Sequence, residues 1–237
     1  MNYKLLLFLS KLKGYKNMDI DKTQYKVFNS KEEAKNWGEL YYKDWKEQYN
    51  SILTEMEYDD NINRFHNAID YYCGYTYRDI NKYLRNNKND TSESKYIREY
   101  TDMLMLILYL SPRIKENIVL YRLVSQDFIQ KLMNNNIKGY PASELGFVST
   151  SLSSDIVKIK SESYSGYDDL LKIYVEKGNV GLYTSIFAGR AEVEMLLPPN
   201  ARFYLISKPY YDEELKKTVY ECKIEYFGDV NRKHLLL

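Results

Sequence analysis

Apolar and polar residues alternate with period two through the C-terminal half of the chain. Val193, Met195 and Leu197, interleaved with Glu192, Glu194 and Leu196, show it best. That period marks a strand with one buried face. Strands are expected near 118–124, 147–151, 170–176, 180–184, 191–197, 201–207 and 217–227, with one helix near 125–134. The N-terminal half keeps a helical rhythm. Ala34, Trp37, Leu40 and Tyr41 recur at helical spacing and Tyr42, Trp45 and Tyr49 continue the aromatic face, so a helix is expected over about 31–49. Ser30 with Glu33 three residues on reads as its capping box. Further helices are expected near 51–73, 76–86 and 93–111, the last almost entirely apolar from Met103 to Leu108 and so buried on most sides. Asn86 to Asp90 reads as a surface loop. Helices first and strands afterwards argue an α+β fold, since a doubly wound parallel sheet requires alternation. Residues 1–24 read as an N-terminal arm or a degenerate signal and 25–237 as a single domain, because no repeat and no Pro-, Gly- or Ser-rich linker divides the body.

On a strand, Glu192 and Glu194 project from one face roughly 7 Å apart. Two such carboxylates repel each other, so they form either a solvated acidic edge or a site for something cationic. Two other stretches bear on the choice. Val119 to Val124 is an apolar strand that carries one arginine, Arg122, and an arginine inside such a run is rarely left unpaired. Gly146 to Leu152 places Ser149 and Ser151 on one face, shared with Phe147, while Thr150 faces the other way.

Composition narrows the classes. A formal charge of +1 over 237 residues favours neither nucleic acid nor membrane as a partner, and no apolar stretch approaches the about 20 residues of a spanning helix. The apolar run after Lys4 is only about five residues, short of the roughly 7 to 15 of a signal-peptide core, so the ordinary signal route is unsupported. Cys73 and Cys222 show no metal spacing and His66 and His234 stand alone, so no metal is expected. Tyrosine is abundant, 26 residues against 8 phenylalanines, which suits a cleft for a flat polar ligand or reflects the base composition of the genome.

Arg122 on one strand, Ser149-Thr150-Ser151 on a second, Glu192-x-Glu194 on a third and Leu196-Leu197-Pro198 after them form an ordered set. In these the chain resembles the bacterial mono-ADP-ribosyltransferase toxins, which include actin-modifying binary toxins and Rho-modifying exoenzymes. Gly74 to Arg85 adds a fourth match, similar to the Tyr-x-x-Ile-Asn-x-x-Leu-Arg helix that the binary-toxin enzymes place over the nicotinamide cleft, with Tyr77 and Asn81 one turn apart. The resemblance implies two roughly perpendicular, mostly antiparallel sheets enclosing an NAD cleft with helices packed outside. It implies NAD as co-substrate, with Arg122 on the pyrophosphate and Ser149, Tyr77 and Asn81 around it, while Thr150 and Ser151 either join them by shaping the nicotinamide end or bond backbone. Glu194 would stabilise the oxocarbenium-like ribose, oriented by Ser149, and Glu192 would serve the acceptor. Phe187, as an exposed aromatic, and Gly189, at a turn, would recognise the acceptor.

Glutamate at position 192 goes with arginine acceptors in the family, which implies a protein-arginine ADP-ribosyltransferase acting on actin or a small GTPase. NAD glycohydrolysis, a Rho-type exoenzyme and a binding module of the same fold are the alternatives. Leu123 stands where the family often has a second basic residue, the loop over about 153–168 offers only Lys158 and Lys160, and Phe187 lies further ahead of Glu192 than the family's aromatic. A secreted protein acting in a target cell's cytosol is implied, with action inside its producer or service within a larger toxin as alternatives and a translocation component as a candidate partner.

Overall fold

The computed structural model describes residues 20–55, 68–86, 94–158, 166–188 and 193–226. Its order is helical, then mostly strands. α1 (Lys31–Glu55), α2 (Tyr77–Arg85) and α3 (Ser94–Leu110) precede β1 (Ile118–Val124), α4 (Gln126–Ile137), β2 (Ala142–Glu144) and β3 (Val148–Ser151). β4 (Asp169–Val175), β5 (Leu182–Tyr183), the single turn α5 (Ser185–Ala188), β6 (Glu194–Leu197), β7 (Ala201–Leu205), β8 (Tyr210–Asp212) and β9 (Lys217–Tyr226) follow.

The strands pair in the order β2-β7-β9-β4-β1-β3-β6-β5, with β8 on β9. Antiparallel pairing dominates and β4–β9 is parallel. The expected two sheets survive as two halves: β1 meets β4 along its whole length, whereas β1 meets β3 at the one pair Tyr121 and Ser151. Alternation along β1 sorts its side chains between two cores. Ile118, Leu120 and Val124 enter the larger one under the helices, while Val119, Tyr121 and Leu123 enter a smaller one with Tyr25, Tyr174 and Val219. Arg122 has the parity of the larger core.

α1 runs six residues past its expected end. Ser30 caps it by accepting from the Glu33 N–H at 3.1 Å, and the Glu33 carboxylate accepts from Asn29 N–H at 2.9 Å, one residue outside the usual capping box. Its aromatic face packs through Trp37 and Tyr42 onto Tyr183 of β5, and the Tyr42 hydroxyl donates to the Gly181 carbonyl at 2.9 Å. Gly38 permits that contact, since a Cβ there would lie 2.3 Å from the Tyr183 ring. β2 and β8, at three residues each, are too short to show a period, and the sequence pattern misses both.

Candidate active site

Four elements bring their side chains together at the join between the sheet halves. β3 and β6 pair with Ser149 opposite Leu196 and Ser151 opposite Glu194. Ser149 and Glu194 are therefore diagonal neighbours on one face, close enough for side chains to meet. The Ser149 hydroxyl donates to Glu194 Oε1, and the guanidinium of Arg122 on β1 donates through Nη1 to the Ser149 carbonyl at 2.6 Å. The guanidinium, the serine and the second glutamate thus lie within one hydrogen-bonded chain.

Glu194 is only 6% exposed, so it is no solvated edge. A buried carboxylate needs donors. Besides Ser149 it has Thr184, whose hydroxyl donates to Oε2 at 2.8 Å, and the Cys73 thiol, 3.9 Å from the same oxygen. The backbone joins in: Thr184 N–H donates to the Glu194 carbonyl at 3.1 Å, and Glu194 N–H donates to Ser185 Oγ at 2.9 Å. Neither Thr184 nor Cys73 stands out in the sequence. The one local signal for Thr184 is a Thr-Ser pair closing a short strand.

The helical wall is built by a break. Gly74 leaves helical geometry inside the wide turn Tyr72–Thr76, which turns Tyr72 and Cys73 inward ahead of α2. Asn81, on the buried face of α2, accepts from Phe147 N–H at 2.8 Å and donates to the Tyr72 hydroxyl at 3.3 Å. Gly146 makes this possible, because a Cβ there would come within 2.7 Å of Asn81 Oδ1. Asn81 therefore joins α2 to the entry of β3. Burial pushes the Tyr72 phenol far above its ordinary value, with the Glu194 charge adding to it, so Tyr72 is a neutral hydroxyl at the site. Tyr77 is half-buried, packs edge-on to Tyr72 at 6.4 Å and is covered by the Arg78 guanidinium.

Of the two roles open for Thr150 and Ser151, their hydroxyls take the backbone one. Thr150 donates to the Met195 carbonyl at 2.6 Å, and Ser151 donates to the Ser153 carbonyl at 2.9 Å while accepting from Ser153 N–H. Both are buried, and a hydroxyl there takes the nearest backbone partner. Phe187 is half-buried rather than exposed, edge-on against Tyr49 of α1 at 5.4 Å. Glu192 and Gly189 lie outside the described residues. Arg85, part of the quoted helix motif but not a candidate, makes a two-point ion pair with Glu144 at 2.8 and 3.1 Å. Burial would raise the Glu144 carboxyl, but the Arg85 guanidinium outweighs it and Arg122 adds to the pull, so it stays below the ordinary carboxylate value.

A model of the ADP-ribosyltransferase exoenzymes matches residues 34–223. The chain belongs to the ADP-ribosyltransferase exoenzyme family. Solved structures share the fold of this exoenzyme. Plx2a, an ADP-ribosyltransferase toxin from Paenibacillus larvae, is 20% identical with a TM-score of 0.59, over 82% of this chain and 96% of its own. The ADP-ribosylating component BECa of a binary enterotoxin of C. perfringens, solved with NADH, is 21% identical with a TM-score of 0.62, over 85% of this chain and 50% of its own. The Clostridium limosum C3 exoenzyme is 18% identical with a TM-score of 0.59, over 85% and 97%. A comparison with curated proteins finds no match. The exoenzyme's donor set fits the co-substrate NAD. Arg122 makes one hydrogen bond among the described residues, which leaves N–H donors for a pyrophosphate, and a fixed carboxylate stands beside it. No group of three or more His, Cys, Asp or Glu side chains among the described residues could hold a metal.

Proposed function

We propose that this exoenzyme transfers ADP-ribose from NAD to an arginine side chain of a protein acceptor and releases nicotinamide, with actin the first acceptor to test. The observation that carries the reading is the bonded chain from Arg122 through Ser149 to Glu194, built from three separate strands. NAD supplies the ribose and its nicotinamide leaving group. Arg122 binds the pyrophosphate with charge-assisted hydrogen bonds. Glu194 supplies the fixed negative charge that stabilises positive charge developing on the ribose, and burial strengthens that effect. Tyr72 and Tyr77 close the helical side and exclude water.

Arginine is favoured as acceptor by residue type. A guanidinium is a poor nucleophile while charged, and Glu192 both attracts it and takes its proton. The protein would act in the cytosol of a target cell. The test is incubation with labelled NAD and, separately, actin and a Rho-type GTPase. Label on actin that hydroxylamine removes supports the reading. Hydroxylamine-resistant label on the GTPase alone replaces it with the Rho-type alternative. In Glu192→Gln, arginine transfer falls while nicotinamide release from NAD largely survives; if both stay unchanged, Glu192 is not the acceptor-side group.

A further inference from the structure

We propose that Thr184 is a positioning residue for the transfer reaction, fixing the orientation of the Glu194 carboxylate and tying to it the turn that starts α5. The inference rests on the reading of Glu194 as the catalytic carboxylate. A glutamate held at one oxygen still turns about its last torsion, whose energy surface is broad and nearly two-fold. Ser149 holds Oε1 alone. Thr184 donates to Oε2 at 2.8 Å, so the two hydroxyls, from β3 and from the end of β5, leave the carboxylate plane one orientation.

Thr184 is itself over-determined. It is 1% exposed, its β-branch restricts χ1, and its N–H donates to the Glu194 carbonyl at 3.1 Å. Tyr183, the residue before it, is clamped by α1 through Gly38 and Tyr42. Ser185, the residue after it, accepts the Glu194 N–H at 2.9 Å, and the Thr184 carbonyl accepts Phe187 N–H at 2.9 Å to start α5. Thr184 and Ser185 thus both bond Glu194 at the turn where α5 begins. A mispositioned carboxylate slows the chemical step more than it weakens NAD binding, which Arg122 supports from another strand.

Thr184→Val keeps shape and branching and removes the donor. Its kcat for nicotinamide release is expected to fall about 10- to 100-fold, the range for a hydrogen bond to a charged group, with KM for NAD within about twofold. Thr184→Ser is expected to return kcat to within about threefold of the parent, since it restores the hydroxyl but not the methyl. Should Thr184→Val fail to fold, Thr184→Ala tests the same donor. A second readout needs no turnover: the carboxyl carbon resonance of Glu194, assigned with Glu194→Gln in ¹³C-glutamate-labelled protein, is expected to move in Thr184→Val and hold in Thr184→Ser. An unaltered resonance, a fall in kcat that serine does not rescue, or a loss confined to KM overturns the proposal. A parent protein that releases no nicotinamide sinks the functional reading instead, and the resonance still decides the positioning role.

Discussion

Both oxygens of the Glu194 carboxylate have hydroxyl donors before any ligand arrives, so its reorganisation is done at folding. Glu194→Gln keeps size and loses charge. Nicotinamide release is expected to drop by about 100-fold or more, the scale for removing a preorganised electrostatic group, and near-normal release in an NAD hydrolysis assay would rule the assignment out. Parity along single strands gave Ser149 and Glu194 their faces, because period two assigns a face without knowledge of the neighbour, but it was the ordered set of Arg122, Ser149-Thr150-Ser151 and Glu192-x-Glu194 that made them candidates together with Arg122. The bond from Ser149 to Glu194 was expected from the family resemblance, and backbone bonding was one of two readings open for Thr150 and Ser151, but the donor from Thr184 was not legible. Ser149 reaches Glu194 while Thr150 and Ser151 bond backbone, and Thr184 completes the clamp, because a rotating hydroxyl serves whichever acceptor tertiary packing places beside it. Phe187 turned inward for a similar reason: the sequence does not show that Tyr49 of α1 waits there.

At the scale of elements, the site depends on how α1 seats β5. A Cβ at position 38 would meet the Tyr183 ring at 2.3 Å, and Tyr183 is buried, so one must move. Gly38→Ala is expected to cost about 1 to 3 kcal/mol by overpacking despite the better helix propensity of alanine. Since Thr184 follows Tyr183 directly, nicotinamide release should fall together with the thermal midpoint; a stabilised variant with full activity would show that α1 does not set β5. Asn81 is the corresponding tie for α2. Asn81→Ala orphans the buried Phe147 N–H and should cost roughly 1 to 3 kcal/mol, measured by urea unfolding. The helical period announced α1 and the face of α2, and the capping box named the first residue of α1. A break between two helices at 74–75 was legible, whereas the wide turn over Tyr72–Thr76 that makes it was not, because hydrophobic period does not separate a wide turn from an ordinary helical one.

Across the whole molecule, the sheet separates the site from a smaller core that is braced by charge. Glu221 accepts from Lys22 near the chain's start, from Ser207 at 2.8 Å and from Tyr174 at 2.8 Å. Burial alone would raise its carboxyl, but these donors outweigh it and hold it below the ordinary 4.5. The folded state therefore releases this proton more readily than the unfolded one. The stabilisation is complete above about pH 4.5 and disappears as pH falls through the lower folded value. Glu144 acts in the same direction. Asp169 opposes them, since burial beside Asp168 raises its carboxyl and its cost to stability fades as pH falls. Glu221→Gln should thus be less stable than the parent at pH 7 and lose less stability on acidification below about 4.5 in denaturant titrations, whereas parallel curves for the two proteins would discount the network.

Local pattern by itself determined the α+β class, most element positions and which residues face a common side, because side-chain parity and helical period are properties of a single segment. Long-range pairing decided the rest: which strands adjoin, that two halves meet at one bridge beside the acid, and which hydroxyls spend themselves on backbone. Those outcomes depend on distances between residues such as Ser149, Thr184 and Glu194, and only the folded chain sets such distances.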